Sequence, residues 1–401
     1  MQKKIIALAV AGLVSGAAFA QTNVTIWGVA DAGFVNMSGD QDTATTVAGR
    51  AADKGGRFTG IQSGLLSGSR LGFKGEEALG NGLKAFFHLE YMLTLDENVG
   101  VGNGGTQSGS NARQQFIGLN GGFGTVAWGR MEAPGTSWHN KYDAQAGAAF
   151  GAQNLMHAGD GNTFGTGTRL NSTMAYISPN FSGFQATVAY SFNPVGNTEQ
   201  NGVIRTAANT NAAQTEERDG AFALRLEYDN GPLSVGFAWH RLRDLGQSDA
   251  ASAHDRENHW GLGASYNLGM AKLFGSYERD RIDYHITGNT NYRSRIWQLG
   301  VDVPVGNGNI RVNYSDHEGS DRNRATGAAL AAGLSNEANA WTFAYLHNLS
   351  KRTTAYAAYT HAKSEDGFRG TVASGNIMGT SMQWSQNDSI NLITAGMRHT
   401  F

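Results

Sequence analysis

The segment LKAFFHLEYMLT, residues 83–94, alternates apolar and polar side chains along almost its whole length. Leu83, Phe87 and Tyr91 belong to one face, and Lys84 and Glu90 belong to the other. A period of two places such residues on opposite sides of a β-strand. About ten residues is also the length that a tilted transmembrane strand needs. The segment therefore predicts a strand with one side in lipid and the other in water.

The same alternation recurs in residues 184–192, 222–228, 260–268 and 310–315. Alternation alone also fits a soluble β-sandwich, in which the apolar face packs on a second sheet. The connections decide between the two folds. Short turns lie near residues 79–82, 121–124, 179–183, 229–232, 267–269, 304–308 and 348–350. Long polar connections alternate with them, near residues 36–66, 96–111, 131–168, 193–218, 244–255, 282–292, 318–337 and 364–389.

Seven short turns and eight long connections predict sixteen strands, with both chain ends on the side of the short turns. An even number of strands, short turns at one rim and long loops at the other are typical of outer-membrane barrels. We therefore predict an all-β chain that forms a 16-stranded antiparallel transmembrane β-barrel. The last strand does not fit the pattern, because Ile390 and Leu392 share parity with Arg398. Its two faces cannot be assigned from the sequence.

The beginning of the chain has the features of a secretory signal peptide. Lys3 and Lys4 precede an apolar run over residues 5–14, and Ala18-Phe19-Ala20 matches a small-x-small cleavage site. A transmembrane helix is the alternative, but the apolar run is shorter than the roughly 20 residues that a span needs. We expect cleavage after Ala20, so that residues 1–20 are the signal peptide and residues 21–401 form a single outer-membrane barrel domain.

Composition excludes several classes of function. The chain has 55 glycines, 5 prolines and no cysteine, with a mean hydropathy of -0.36 and a net charge of -2. The absence of cysteine excludes disulfides, zinc–thiolate sites and thiol catalysis. The net charge gives no general case for nucleic-acid binding. Low hydropathy with many glycines fits strands that are apolar on one face only.

The third long connection, between Arg130 and Arg169, is the least strand-like long segment of the chain. A connection of this length within a compact architecture is usually functional or disordered. A barrel of sixteen strands encloses an aqueous channel rather than a packed core, so something has to narrow it. We expect this third loop to fold inward and to determine what the channel lets through.

Several ordered motifs resemble those of the general diffusion porins of Gram-negative outer membranes, most closely the β-proteobacterial type. They are SRLGFKGE (residues 69–76), RQQFIGL (113–119), GFGTVAWGR (122–130), the Asn171…Tyr176…Ser178-Pro179 segment and GMRHTF (396–401). The resemblance covers essentially the whole mature chain. It implies a homotrimer in outer-membrane lipid and lipopolysaccharide that passes ions and small hydrophilic solutes without a cofactor. It also implies that Phe401 is the signal read by the barrel-assembly machinery, although His399 departs from the bulkier apolar residue often found two places before the end.

Candidate selectivity residues lie on the predicted water-facing sides of three strands. Parity places Arg70 and Lys74 opposite Leu71 and Phe73, Arg113 and Gln115 opposite Phe116, and Arg169 and Asn171 opposite Leu170 and Met174. Guanidinium groups stay charged at any relevant pH, so three of them near one height would form a positive wall. The three arginines also occupy the positions at which the resembling family carries its lumenal arginine cluster. The alternative is that each is a solvated lumen residue paired with a neighbour such as Glu90.

Acids of the third loop are expected to face that wall. The candidates are Glu132, Asp143 and Asp160, and the family likeness of the loop rests on its position and on Tyr142-Asp143-Ala144. Opposed charges across the constriction would produce a transverse field that separates anions from cations. Because acids are few in this region, we expect a weak preference for anions.

Two other functions remain open at this stage: a channel specific for a sugar or an organic acid, and, less in keeping with the pattern, an outer-membrane barrel enzyme. We find no catalytic constellation, and the G-x-G-x-x-G match at residues 100–105 lies outside any βαβ unit. The eleven histidines lack the spacing of a zinc site, and His254 and His259 are assigned to a polar loop. The sequence therefore predicts no catalytic, cofactor or metal site.

Overall fold

The computed structural model describes residues 23–40, 46–47, 50–51, 57–102, 112–160, 169–192, 220–243, 254–284, 290–319, 336–365, 370–371, 383–384 and 389–401. The predicted signal peptide and cleavage site lie outside these residues. No helix within the described ranges has the length and apolar character needed to cross a membrane.

Sixteen long strands make up the described fold. They are β1 (Asn23–Asp40), β2 (Arg57–Ser63 and Arg70–Gly80), β3 (Leu83–Met92), β4 (Ala112–Gly121), β5 (Gly124–Glu132), β6 (Arg169–Ile177), β7 (Phe184–Ser191), β8 (Gly220–Asn230), β9 (Leu233–Arg243), β10 (His254–Asn267), β11 (Lys272–Tyr284), β12 (Thr290–Val305), β13 (Gly308–Gly319), β14 (Asn336–Asn348), β15 (Thr353–Glu365) and β16 (Ser389–Thr400). Each strand pairs antiparallel with the next. Two small hairpins, Thr46–Val47 with Arg50–Ala51 and Gly370–Thr371 with Gln383–Trp384, lie in the first and last long connections.

Pairing of the first strand with the last closes the barrel. The register of β1 and β16 runs from Val29 opposite Thr400 to Asp40 opposite Ser389. Beyond it, Gly28 and Phe401 exchange two backbone hydrogen bonds of 3.0 and 3.1 Å. Closure leaves no free sheet edge in the membrane, where unpaired backbone groups are costly. The predicted 16-stranded antiparallel barrel is thus confirmed.

The second strand is interrupted at residues 64–69, where the chain turns inward. Gly64 has a φ of 78°, in the left-handed region that favours glycine. The buried Asp31 carboxylate accepts hydrogen bonds from the backbone N–H of Leu66 and Ser67, at 3.1 and 2.8 Å, and from the Tyr356 hydroxyl at 2.7 Å. Because β1 continues to Asp40 and β2 begins at Arg57, the first long connection is shorter than the sequence pattern suggested.

The two faces of the barrel differ as predicted in most strands. Leu262, Leu299 and Ile117 are exposed on the outside, while Ser276 and Gln298 are buried on the inside. In β16, Ile393 and Met397 point outward, and Ile390 and Leu392 point inward. Those two inward residues pack in an apolar cluster with the third loop. The loop covers part of the lumen wall, which explains why this strand carries apolar residues on both faces.

Two expectations about individual residues are wrong. His254 and His259 belong to β10 rather than to a polar loop, and the His259 side chain is buried.

Phe116 lies on the inner face, where its ring stacks on His88 at 5.1 Å between centroids. Gln115 instead reaches the Tyr91 hydroxyl on the other face. The reason is a shift in register between β3 and β4 next to Glu90, which breaks the simple alternation.

The third loop contains two helices, α1 (Pro134–Tyr142) and α2 (Ala152–Asp160). Proline at the first position suits the start of α1, because its ring presets φ and its missing N–H would have no intrahelical acceptor. Helix α1 contacts β8, β9 and β10, and helix α2 contacts β12, β13, β14 and β15. The loop therefore lies inside the barrel along one half of the wall, as predicted.

Candidate pore constriction

Helix α1 rests on glycines of the barrel wall. A Cβ atom at Gly236 would lie 2.6 Å from the Tyr142 ring, and one at Gly263 would lie 2.5 Å from it. At Gly261 the distance to the Trp138 ring would be 2.4 Å. These approaches are too close for any side chain, so the aromatic rings sit directly on the backbone. Both rings are completely buried, and the Tyr142 hydroxyl lies 3.1 Å from Ser234 Oγ.

The turn between the helices is fixed by Asp143. Its carboxylate accepts hydrogen bonds from the backbone N–H of Gln145 and Gly147, at 3.0 and 2.9 Å, and from Asn313 Nδ2 at 3.2 Å. Gln298 donates a hydrogen bond to the carbonyl oxygen of Tyr142. Asp143 is 1 % exposed, so its charge is directed into the turn and toward β13. The loop is thereby attached to the wall through polar contacts as well as through packing.

Helix α2 and the residues before it are held by side chains of β11, β14 and β15. The carbonyl oxygen of Phe150 accepts hydrogen bonds from the hydroxyls of Thr342 and Thr360, at 3.1 and 2.6 Å. Gln153 Nε2 donates to Ser276 Oγ at 3.0 Å and to Glu278 Oε1 at 2.7 Å. Apolar residues of the helix, including Leu155 and Met156, complete the contact. The whole described part of the loop is therefore fixed in the lumen.

Lys141 is the one charged side chain of α1 that reaches the solvent. Its Nζ lies 3.0 Å from both carboxylate oxygens of Asp229 and 3.4 Å from Glu227 Oε1. Burial disfavours the charged form, but the bond to Asp229 and the charge of Glu227 outweigh it and raise the pKa of Lys141. The loop is thus joined to β8 by an ion pair that stays charged at neutral pH.

Glu90 organises the charges on the other side of the lumen. Its Oε1 accepts a hydrogen bond of 2.5 Å from Arg113 Nε and lies 3.6 Å from Arg70 Nη1. Arg70 pairs across the sheet with Val29, on the face that also carries Asp31 and points into the barrel. Glu90 is on the same inner face, because it pairs with Gly72, which lies two residues from Arg70 in β2. The two arginines therefore meet at one carboxylate.

Arg169 and Glu132 complete this group, which we call the arginine wall (Arg70, Arg113 and Arg169, with Glu90 and Glu132). Glu132 is opposite Arg169 in the register of β5 and β6. Arg169 interacts electrostatically with all four other members of the wall. Glu132 also accepts a 2.7 Å hydrogen bond from the Ser137 hydroxyl of α1. Three guanidinium groups and two carboxylates leave one net positive charge.

Parity alone does not account for how these side chains come together. Arg113 reaches the inner Glu90 because the register of β3 and β4 shifts beside it. In β6, Leu170 is buried and Met174 is exposed, although both have even numbers. Between them, Ser172 has a φ of 44°, which breaks the alternation of the strand. Two irregularities that the sequence pattern does not reveal thus lie in the strands that carry Arg113 and Arg169.

The remaining candidates lie apart from the wall. Lys74 is on the inner face of β2, four residues from Arg70, and is exposed. That separation corresponds to about 13 Å along a strand. Asp143 is engaged with the turn and with Asn313, as described above. Asp160 ends α2, and its side chain lies outside the described part of the chain. Of the three acids proposed from the sequence, the structure brings Glu132 to the arginines.

Two features were missed by sequence reasoning. Glu90 was considered only as a neutralising neighbour, whereas it is the acceptor shared by Arg70 and Arg113. The role of the glycines under α1 was also missed. Gly261 and Gly263 alternate with apolar residues in β10. Glycine at consecutive inward positions is a signal that another part of the chain approaches the backbone closely.

Comparison with known proteins gives consistent results. A family profile described as Gram-negative porin matches residues 7–367. The outer membrane porin protein 32 of Delftia acidovorans is 31% identical over 407 residues, which cover 100% of both chains. An outer membrane porin protein of Bordetella pertussis is 29% identical over 394 residues, covering 91% of this chain and 95% of that protein. Among solved structures, an anion-selective porin from Comamonas acidovorans superposes with a TM-score of 0.71 and 27% identity, covering 95% of this chain and 100% of that one.

Proposed function

The chain belongs to the Gram-negative porin family, and we propose that it favours anions weakly through the arginine wall beside the third loop. As a member of that family it is an outer-membrane porin for passive diffusion and not an enzyme. The proposal concerns the finer property, which is how the constriction sorts small hydrophilic solutes by charge.

The observation that carries the proposal is the charge balance of the wall. Arg70, Arg113 and Arg169 outnumber Glu90 and Glu132, which leaves one net positive charge. Two unit charges 4 Å apart interact by about 1 kcal/mol in water, and physiological salt screens such fields within about 8 Å. One excess charge therefore favours anions in a narrow passage without excluding cations. The anion selectivity of the Comamonas acidovorans porin supports the same sign.

The partners of the protein are also proposals. We expect a homotrimer, which the resemblance to general diffusion porins implies. We expect Phe401, which follows β16 and pairs with Gly28, to be read by the barrel-assembly machinery, as the resemblance to general diffusion porins implies. The ions and small hydrophilic solutes that cross the pore are the remaining partners.

Lipopolysaccharide is the proposed ligand of the outer surface. Arg279 pairs with Arg295 and Arg281 pairs with Arg293 across β11 and β12, so the four side chains share one face. That face is opposite to Glu278, which contacts the inner loop, and all four arginines are exposed. They lie at the strand ends next to the long connection, beyond the Tyr277 and Trp297 pair. The planar guanidinium groups of arginine can donate paired hydrogen bonds to the phosphate groups of lipopolysaccharide.

The transport proposal is tested by single-channel recording of the refolded mature protein in a planar bilayer. We expect stable conductance steps and, in a salt gradient, a reversal potential on the anion side. Absence of channels would contradict the porin function itself. A reversal potential on the cation side would contradict the role of the wall, and block by one particular sugar or organic acid would favour the specific-channel alternative.

A further inference from the structure

A cluster of buried histidines and one carboxylate lies between the third loop and the wall. His139 of α1, His157 of α2 and Glu278 of β11 each offer a ligand atom, and these atoms lie within 4.8 Å of one another. His157 Nε2 is 3.1 Å from Glu278 Oε2, and His139 Nδ1 is 3.8 Å from Glu278 Oε1. The His139 and His157 rings meet edge to face at 4.4 Å between centroids. The cluster thus connects both helices of the loop to one strand.

A third histidine approaches the same carboxylate from the neighbouring strand. His259 Nε2 of β10 lies 3.2 Å from Glu278 Oε2. On the far side of the ring, His259 Nδ1 lies 3.9 Å from Asp280 Oδ1. The His259 ring thus lies between the carboxylates of Glu278 and Asp280. Glu278 is therefore surrounded by three imidazoles from three different elements.

His139 is the observation that points to a ligand. Its ring is completely buried, and within the described part of the chain neither ring nitrogen forms a hydrogen bond. A buried polar atom without a partner costs about 1–3 kcal/mol. Its Nδ1 faces the Glu278 carboxylate at 3.8 Å, beyond direct hydrogen-bond distance, and an ion bound by both groups would satisfy it.

The ligand atoms of His139, His157 and Glu278 are close enough together to share one metal ion. Zinc is bound by imidazole nitrogen at about 2.0–2.1 Å and by carboxylate oxygen at about 2.0–2.2 Å, so two ligands at a tetrahedral angle lie roughly 3.4 Å apart. The separations from Glu278 to His157 and His139 are 3.1 and 3.8 Å, on either side of that value. Imidazole ligands favour zinc and similar transition metals over magnesium and calcium, which prefer oxygen.

We propose that His139, His157 and Glu278 form a binding site for zinc that fastens both helices of the third loop to β11. The ion would be bound by two neutral imidazoles and one carboxylate, with a fourth position for water, and binding would release any protons that these groups carry. It would act as a structural clamp, because its protein ligands come from both helices of the loop and from the barrel wall. This proposal is independent of ion selectivity, since the site lies behind the loop and not in the arginine wall.

The test measures zinc directly on the folded mature protein without an affinity tag. The porin is treated with a chelator, dialysed against zinc and then against zinc-free buffer, and analysed by mass spectrometry for metal. We expect about one zinc ion per chain, and X-ray absorption should give about four nitrogen or oxygen ligands near 2.0–2.1 Å. Metal content at the level of the zinc-free buffer would overturn the proposal.

Variants separate this site from nonspecific binding to histidine. His139→Gln changes a loop residue outside the barrel sheet and should weaken zinc binding by at least about tenfold, as loss of a ligand or its support does. His347→Gln is the matched control, because the strand register aligns Glu278 with Ala338 of β14, nine residues from His347, and this variant should keep full binding. Equal zinc binding by both variants, with folding verified by heat-modifiable electrophoretic mobility, would overturn the assignment. Normal binding by His347→Gln with loss in His139→Gln would support it.

Discussion

The two sides of the lumen differ in the residues that they carry and in their role in the channel. On the side of β2 to β6, charged side chains meet around Glu90, and Arg70 keeps 22% of its side chain exposed. On the side of β8 to β15, the third loop covers the wall with Trp138, Tyr142 and Phe150, all of which are fully buried. Charge is therefore kept on the side facing solutes, and packing is kept on the side that positions the loop. Selectivity and constriction size should consequently respond to different mutations.

The largest expected effect, on stability and conductance, follows from a change on the side of β8 to β15, where the third loop packs on the wall. In Gly263→Ala the new Cβ would lie 2.5 Å from the Tyr142 ring, so α1 must move away from the wall. Overpacking of this kind costs about 1–3 kcal/mol. We expect lower stability to urea in detergent and a larger, noisier single-channel conductance.

Gly275→Ala is the control for that change. This glycine lies in the same sheet, and its added Cβ would meet the flexible end of Leu299 at 3.3 Å. We expect wild-type conductance. If both alanine variants conduct alike, the close packing of Tyr142 on the wall does not set the size of the constriction.

A smaller effect is expected from the charged side. Glu90→Gln removes one of two carboxylates from the arginine wall, so the net charge of the wall rises from one to two. We expect the reversal potential in a salt gradient to move further toward anions, with conductance changed less than in Gly263→Ala. Glu76→Gln is the control, because this acid is exposed and pairs with Lys84 at 2.8 Å. A shift toward cations in Glu90→Gln would contradict the described role of the carboxylate.

The smallest change in selectivity is expected for Asp143→Ala. Its carboxylate holds the turn through Gln145 and Gly147 and does not face the arginines. Loss of such a side-chain acceptor costs about 0.5–2 kcal/mol, which urea unfolding would detect. Glu132→Ala, compared in the same salt gradient, should shift the reversal potential toward anions. An equal shift in the two variants would mean that Asp143 contributes to the field of the constriction.

The difference between the two sides also explains how far the sequence could be interpreted. Strand number, turns and inner positions such as Arg70 follow from a period of two and from the alternation of short and long connections. The side covered by the third loop was harder to predict, because the inward Ile390 and Leu392 are apolar and the faces of their strand could not be assigned from the sequence. Their partners in α2 are more than 200 residues away, and no local pattern reveals such a contact. The same holds for His259, whose ring lies parallel to that of His157 in α2, at 6.4 Å between centroids.

Irregular backbone geometry was the second feature that could not be predicted from the sequence. The register shift at Arg113 and the left-handed Ser172 interrupt the simple alternation of the strands that carry two of the arginines. Such irregularities depend on the pairing of whole strands and on the entry of the third loop. The sequence could therefore indicate which arginines to examine, whereas the shared carboxylate of Glu90 became apparent only from the three-dimensional arrangement.

The most direct test of the arginine wall is the reversal potential of the double variant Arg70→Ala with Arg113→Ala in a salt gradient. The change removes two of three guanidinium groups and leaves two carboxylates, so the net charge of the wall becomes negative. Arg279→Ala with Arg281→Ala is the matched control, since it removes the same charge from the outer face. We predict that the first variant shifts toward cations while the control retains the wild-type value. An unchanged reversal potential in the first variant would contradict the account.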